Sequence, residues 1–174
     1  HHRIKNNMNT IMSLLALQST AAKETAVSAA LNDAVRRMQG MAVLYDKLYR
    51  SENLREISIQ SYLSTLVDEV MAMFPGDTVV RVEKHIEDIR LGVTVLSSLG
   101  MIVNELITNA MKYAFTGMAE GIITVSVTSH DNRATLAIKD NGRGIPGYVD
   151  VEKSGGFGFT LVRMLVKQLK GNLS

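Results

Sequence analysis

Hydrophobic side chains in the first fifty residues recur at alternating steps of four and three. The later run consists of Leu31, Val35, Met38, Ala42, Tyr45 and Tyr49, and the earlier run of Ile4, Met8, Ile11 and Leu15. This spacing is typical of helices that pack along one another. The small and polar stretch QSTAAKE separates the runs, and Ser19 or Thr20 is expected to cap the second helix. The pattern predicts an antiparallel helical hairpin.

Two helices bury little apolar surface on their own, so two hairpins are expected to pair into a four-helix bundle. The alternative is a hairpin that packs only on the rest of its own chain.

From about residue 58 the periodicity changes. A helix is expected from Gln60 to Phe74, short strands at TVVRVEKHI and IRL, and a long helix from about Thr94 to Phe115. GIITVSVTS and RATLAIKD alternate with period two and predict a β-hairpin, and a glycine-rich loop at residues 141–158 leads into a last helix that Gly171 terminates. Helices followed by an antiparallel hairpin indicate an α+β sandwich with the helices on one face of the sheet.

Composition narrows the classes of function. The 174 residues carry a net charge of only +2, and 5% are aromatic with no Trp, which argues against nucleic-acid binding. The absence of Cys excludes disulfides, thiolate metal sites and a Cys nucleophile. No uninterrupted apolar run approaches the roughly 18 residues of a membrane span. The chain begins HHRIKNN, without Met, which indicates a fragment of a longer protein.

The long helix carries a polar stripe in the stretch NELITNAMKY. With Glu105 at zero on a helical wheel, Asn109 lies at about 40° and Lys112 at about −20°, and Tyr113 follows at about 80°. The apolar face centres at about 100°, on Leu99, Ile102, Leu106 and Ala110. The polar stripe therefore flanks the core face, which favours the edge of a ligand cleft over an ordinary solvated face.

Two glycine-rich motifs follow this helix. Asp140 shares strand parity with Leu136 and Ile138 and precedes NGRGIPG, where Gly142 and Gly144 allow close approach of a ligand. SGGFGF then opens a helix, whose N-terminal N–H groups form an anion site. Each motif alone is a common turn. In this order they supply a carboxylate for a purine amino group, a phosphate cradle, and Glu and Asn oxygens for Mg²⁺.

These motifs resemble the ATP-binding fold shared by histidine kinases, DNA gyrase, Hsp90 and the MutL proteins. NELITNAMKY is similar to the N box, DNGRGIP to the first glycine box, and GGFGFTLVRMLVKQL to the second. HHRIKNN sharpens the resemblance to sensor histidine kinases whose phospho-acceptor motif reads H-R-x-K-N. The resemblance implies residues 1–52 as a dimerisation and phosphotransfer hairpin and residues 53–174 as a catalytic ATP-binding domain, with both chain ends truncated.

By position, the resemblance implies His2 as the phospho-acceptor and Glu105 as the counterpart of the general base in hydrolytic relatives. Asn109, with Glu105, would hold Mg²⁺, and Lys112 would reach phosphate. The adenine would lie beside Tyr113 and bind Asp140, in a pocket that Gly142 and Gly144 shape. Gly156 and Gly158 would form the triphosphate loop.

Three departures from the family pattern bear on these roles. Arg3 stands where commoner histidine kinases carry an acidic residue, the lid between the glycine boxes is short, and the chain stops before the strand that normally completes the sheet.

The implied function is ATP-dependent autophosphorylation of a histidine with relay to an aspartate of a response regulator, in a cytoplasmic homodimer. Any membrane attachment would lie in segments outside this chain. The alternatives are an ATPase or anti-sigma-type serine kinase on the same fold, and an inactive dimerisation scaffold.

Overall fold

A computed structural model describes residues 2–50, 57–74, 78–131, 133–144 and 157–174, with side chains except at residues 2–5, 43–50 and 157. The chain divides into two compact units, His1–Leu54 and Arg55–Ser174.

The first unit is a helical hairpin of α1, His2–Ala21, and α2, Thr25–Arg50. The side chains of α1 that α2 covers at least in part are Met8, Met12, Leu15 and Ser19. Ser19 is buried and its hydroxyl donates to the carbonyl of Ser28 at 3.1 Å, which joins the two helices beside their turn. Ile11, expected in the same seam as Met8, is 47% exposed.

The expectation that Ser19 or Thr20 caps α2 is wrong. Both residues belong to α1, and the Thr20 hydroxyl donates back to the carbonyl of Leu17 at 2.8 Å. A hydroxyl that bonds the preceding turn stays within its own helix instead of capping the next one.

The second unit begins with β1, Ile57–Ser58, and α3, Ile59–Ala72, in place of the expected Gln60–Phe74. Ser58 caps α3 by accepting a hydrogen bond from the Ser61 N–H at 3.1 Å. The next elements are β2, Val79–Ile86, and β3, Arg90–Leu91, which pairs with β1. They are followed by α4, Val93–Asn109, then β4, Glu120–His130, β5, Arg133–Asp140, and α5, Phe157–Gln168.

The main sheet has the order β2-β4-β5, with β2 parallel and β5 antiparallel to β4. Alternate residues of β4 are buried, namely Gly121, Ile123, Val125 and Val127. This alternation places the core on one face of the sheet. The predicted α+β class, a helical region followed by an α/β sandwich, is confirmed.

The long helix differs from its prediction in two ways. It is α-helical only to Asn109, and Ala110–Ala114 form a π-helical turn, here called the π turn. Its fully buried apolar residues, Leu96, Val103 and Ile107, lie about 180° from Glu105 instead of about 100°. α4 packs against both α3 and α5, so its apolar contacts are not confined to a single face.

Within the described ranges, Val93–Ala114 is a candidate membrane span by length and composition, although no such segment was expected. We assign it as a core helix, because 56% of its apolar window is buried inside the unit and it carries the buried Asn104, Glu105 and Thr108.

The end of α5 is closed by a residue other than the expected one. Lys170 has φ +54°, and the Gly171 N–H donates to the carbonyl of Val166 at 2.9 Å. Lys170 N–H donates to the carbonyl of Lys167 at 3.0 Å, which completes a Schellman motif. The left-handed residue is therefore Lys170, and Gly171 follows it.

Candidate nucleotide site

The polar stripe of α4 runs from the interior to the surface. Glu105 is 1% exposed, Asn109 and Lys112 are half-buried, and Tyr113 is 59% exposed. The π turn contains Lys112 and Tyr113, and its wider winding rotates them away from the α-helical positions used for their prediction. A π turn within an α-helix is frequent at functional sites.

Glu105 lies directly against the first turn of α5. A Cβ atom added to Gly158 would lie 1.7 Å from Glu105 Oε1 and 2.5 Å from its Cδ. A side chain at position 158 therefore requires the Glu105 carboxylate to move. The N-terminus of α5 carries backbone N–H groups without partners inside the helix, and its dipole favours a negative charge there. The second glycine motif therefore approaches a carboxylate of the N box as well as offering an anion site.

Asp140 ends β5 opposite Ile123 of β4, on the strand face predicted for it. Its side chain is exposed, so the desolvation cost expected from that face does not arise. Its Oδ1 accepts a hydrogen bond from the Gly142 N–H at 3.0 Å, which leaves further lone pairs for a ligand.

The loop after Asp140 is fastened on two sides. Asn141 exchanges two hydrogen bonds with Ile122 of β4: its N–H donates to the carbonyl at 3.1 Å, and its Oδ1 accepts from the N–H at 2.7 Å. A Cβ at Gly142 would lie 2.5 Å from the carbonyl oxygen of Ala114, so the loop backbone lies against the end of the π turn. Gly144 has φ +72°, a conformation that favours glycine.

Arg143 makes the remaining contacts of this loop. Its N–H donates to the carbonyl of Ala114 at 3.0 Å, and its Nε–H donates to the carbonyl of Tyr113 at 3.1 Å. Both glycine loops thus contact one continuous helical segment, the first at Tyr113 and Ala114 and the second at Glu105.

Two predicted site residues lie wholly or in part outside the described residues. The side chain of His2, the first residue of α1, and the whole of Gly156 lie outside the described residues. In the described ranges no three His, Asp or Glu side chains group as metal ligands.

Two family models match the chain. The first, a histidine kinase family, matches residues 1–74, and the second, described as the histidine kinase-, DNA gyrase B- and HSP90-like ATPase family, matches residues 94–174. The chain belongs to the histidine kinases. The expected family is confirmed.

Sensor histidine kinase PdtaS of Mycobacterium tuberculosis is 32% identical over 99% of this chain and 35% of its own length. A solved histidine kinase domain from the blue-light-activated histidine kinase of Erythrobacter litoralis matches with a TM-score of 0.71 and 25% identity, over 99% of this chain and 81% of that domain. The chain spans about a third of the length of the first curated relatives it matches.

The anti-sigma F factor of Priestia megaterium is also similar, at 31% identity, but over only 43% of this chain and 58% of its own length. The match to histidine kinases therefore extends well beyond the part shared with an anti-sigma factor.

Arg143 and Asn141 hold the first glycine loop in place but were not predicted as site residues. Both lie inside the recognised DNGRGIP motif, between residues to which the motif assigns roles. The available signal was the cationic Arg143 between Gly142 and Gly144, because helix C-termini accept hydrogen bonds from cationic side chains.

Proposed function

We propose that this chain binds ATP with Mg²⁺, transfers the γ-phosphoryl group to His2, and passes it to an aspartate of a response-regulator receiver domain. The observation that carries the proposal is the contact of both glycine loops with one helical segment. Gly158 lies against Glu105, and Arg143 bonds the carbonyls of Tyr113 and Ala114. A carboxylate, an amide and two glycine loops around one helix match the needs of a purine triphosphate.

The protein would hold the nucleotide at its adenine and at its triphosphate. Asp140 would accept the adenine amino group, the exposed Tyr113 ring would lie beside the base, and Gly142 and Gly144 would admit it closely. The free N–H groups of α5, with Gly156 and Gly158, would face the triphosphate, and Lys112 would add positive charge.

The oxygens of Asn109 and Glu105 would hold Mg²⁺, whose donor preference they fit. When bound, the ion neutralises charge that develops on the transferred phosphoryl group.

His2 would act as the nucleophile. A free imidazole has a pKa of about 6.5, so most of it is neutral and nucleophilic at pH 7. One ring nitrogen attacks the γ-phosphorus, the bond to the β,γ-bridging oxygen breaks, and ADP leaves with that electron pair. The other ring nitrogen then loses its proton, which Glu105 would accept directly or through a water molecule.

The decisive experiment incubates the chain with γ-labelled ATP and Mg²⁺. We expect label that is lost in acid and kept in base, which indicates phosphohistidine, in the parent chain and in His1→Ala but not in His2→Ala. His1→Ala is the matched control because it removes the neighbouring imidazole. Label in His2→Ala equal to the parent would refute His2 as the acceptor.

The role of Glu105 is tested separately with Glu105→Gln. We expect ATP binding to be retained and autophosphorylation to be lost, because the amide keeps the volume beside Gly158 but cannot accept a proton. Full autophosphorylation in this variant would end the proton-acceptor role.

The labelling experiment with γ-labelled ATP, together with calorimetry, also distinguishes the alternatives. An ATPase would release inorganic phosphate without labelling itself, and a serine kinase of the anti-sigma type would leave acid-stable phosphate on a partner protein. An inactive scaffold would bind no nucleotide in calorimetry. The helical unit favours the histidine kinase, because the anti-sigma F factor matches only 43% of the chain.

The homodimer is proposed from a second apolar stripe on α1, which comprises Ile11, Leu14 and Leu17 at 47%, 56% and 66% exposure. Pairing two hairpins through this stripe would bury it in a four-helix bundle. In sedimentation at micromolar concentration we expect the parent to be a dimer, Leu14→Asp a monomer, and Ser13→Asp, an exposed neighbour, a dimer. A monomeric parent would contradict the proposal.

The receiver partner is tested by adding a purified receiver domain to the labelled chain. We expect label to move to the parent receiver and to stay on the kinase when the acceptor aspartate is replaced by Asn. ATP supply places the reaction in the cytoplasm, and any membrane attachment would come from segments outside this chain.

A further inference from the structure

Arg143 joins the first glycine loop to the end of the π turn. Its backbone N–H and its Nε–H donate to the carbonyls of Ala114 and Tyr113, at 3.0 and 3.1 Å. The last carbonyls of a helix have no partner within the helix. One residue therefore satisfies two of them, and its positive charge lies at the negative end of the helix dipole.

The other side of the same loop holds Asp140. The Gly142 N–H donates to Asp140 Oδ1 at 3.0 Å, and Gly142 packs on Ala114 so closely that a Cβ would not fit. The orientation of the Asp140 carboxylate is thus tied, through Gly142 and Arg143, to the peptide groups of Tyr113 and Ala114. Asn141 fixes the loop to β4 from the opposite side.

We propose that Arg143 is a positioning residue for the nucleotide base. Its Nε–H holds the carboxylate of Asp140 in register with the helix end that carries Tyr113. The inference rests on the proposed ATP binding and goes beyond it, because no ligand role is needed for Arg143 itself.

An arginine beside a nucleotide site can also bind phosphate directly through its charged fork. The two roles predict different results. A phosphate ligand needs the charge and acts only on nucleotides that carry phosphate. A positioning residue needs the single N–H toward the Tyr113 carbonyl and acts equally on ATP, ADP and adenosine.

Two substitutions separate these requirements. Gln carries an N–H nitrogen on Cδ, where Arg carries Nε, so Arg143→Gln keeps the donor and removes the charge. Arg143→Met keeps similar length without any donor. Arg133→Met is the matched control, because Arg133 is exposed at the start of β5, at the opposite end of this strand from the glycine loop.

We expect calorimetry to show that Arg143→Met weakens ATP, ADP and adenosine alike by about fivefold, the factor of one hydrogen bond. Arg143→Gln and Arg133→Met should bind within about twofold of the parent. In autophosphorylation, Arg143→Met should raise the KM for ATP and leave kcat unchanged, which a general loss of fold would not do.

Unchanged binding in Arg143→Met, or a loss in Arg143→Gln as large as in Arg143→Met, would overturn the positioning role. If both variants lose ATP binding equally but still bind adenosine as the parent does, Arg143 is a phosphate ligand. If Arg143→Met unfolds while Arg143→Gln folds and binds, the requirement for the N–H is upheld; unfolding of both variants overturns it. A parent chain that binds no nucleotide defeats the proposed function as well, whereas a binding parent with unaffected variants defeats this inference alone.

Discussion

Because Gly158 lies against Glu105, adding a single methyl group at position 158 should destabilise the fold. In Gly158→Ala the new Cβ would lie 1.7 Å from Glu105 Oε1, 2.5 Å from Cδ and 3.1 Å from Cγ, whereas real Cβ atoms essentially never approach within 3.0 Å. Glu105 is 1% exposed, so its carboxylate would have to move within a closely packed interior.

One stabilising and two destabilising terms set the magnitude. Replacing Gly by Ala in a helix stabilises by about 1 kcal/mol, and overpacking a buried site costs about 1–3 kcal/mol. Displacing a buried carboxylate from its partners adds to the cost, by about 1–3 kcal/mol. We expect Gly158→Ala to lower the free energy of unfolding by about 3 kcal/mol, or the unfolding temperature by about 12 °C.

The assay is calorimetric unfolding of the whole chain, with hydrogen exchange of β4 peptides to identify the transition of the second unit. Gly171→Ala is the control, since its Cβ would meet Val166 Cγ1 at an ordinary 3.5 Å. Adding Glu105→Ala should relieve the overlap, so the double variant should be more stable than the sum of the two changes by about 1–2 kcal/mol.

Equal stability of Gly158→Ala and Gly171→Ala would refute the reasoning, as would strict additivity with Glu105→Ala.

Three further changes test other features of the fold. Lys170→Gly should raise the unfolding temperature by removing about 1 kcal/mol of left-handed strain, with a smaller gain for Asp131→Gly, because Asp tolerates that conformation; no gain at Lys170 contradicts the Schellman assignment. Burial raises the pKa of the Tyr62 hydroxyl above 10.0, so only the unfolded chain ionises this group just above pH 10, and the free energy of unfolding should fall by about 1.4 kcal/mol per pH unit there. Tyr62→Phe should abolish that fall and be neutral or stabilising at pH 7, because the hydroxyl has no hydrogen-bond partner among the described residues; a large loss at pH 7 would show a missed partner. Ser19→Ala should destabilise the hairpin by about 1 kcal/mol in thermal unfolding, whereas Thr20→Ala, which loses only an exposed bond within α1, should have less effect; the reverse order would contradict the link to Ser28.

Local sequence patterns predicted the elements and the order of the motifs. Period-two alternation identified β4 and β5, heptad spacing identified the hairpin, and NELITNAMKY, DNGRGIP and GGFGFT identified the three boxes. These signals depend on neighbours within about two turns or one strand, which a sequence displays directly.

The helical-wheel prediction for α4 was wrong because two of its assumptions do not hold. Equal steps of 100° do not hold through the π turn, and a helix covered by both α3 and α5 has no single apolar face. The burial of Glu105 and the positions of Lys112 and Tyr113 depended on that packing.

The sequence by itself determined the family motifs, their order along the chain and most of the elements that carry them. Only the tertiary structure decided that Gly158 lies against Glu105 and that Arg143 bonds the Tyr113 carbonyl 30 residues away. The periodicity of a segment indicates which of its sides is buried and which is exposed to solvent. A contact between distant segments depends instead on how the helices and the sheet pack together.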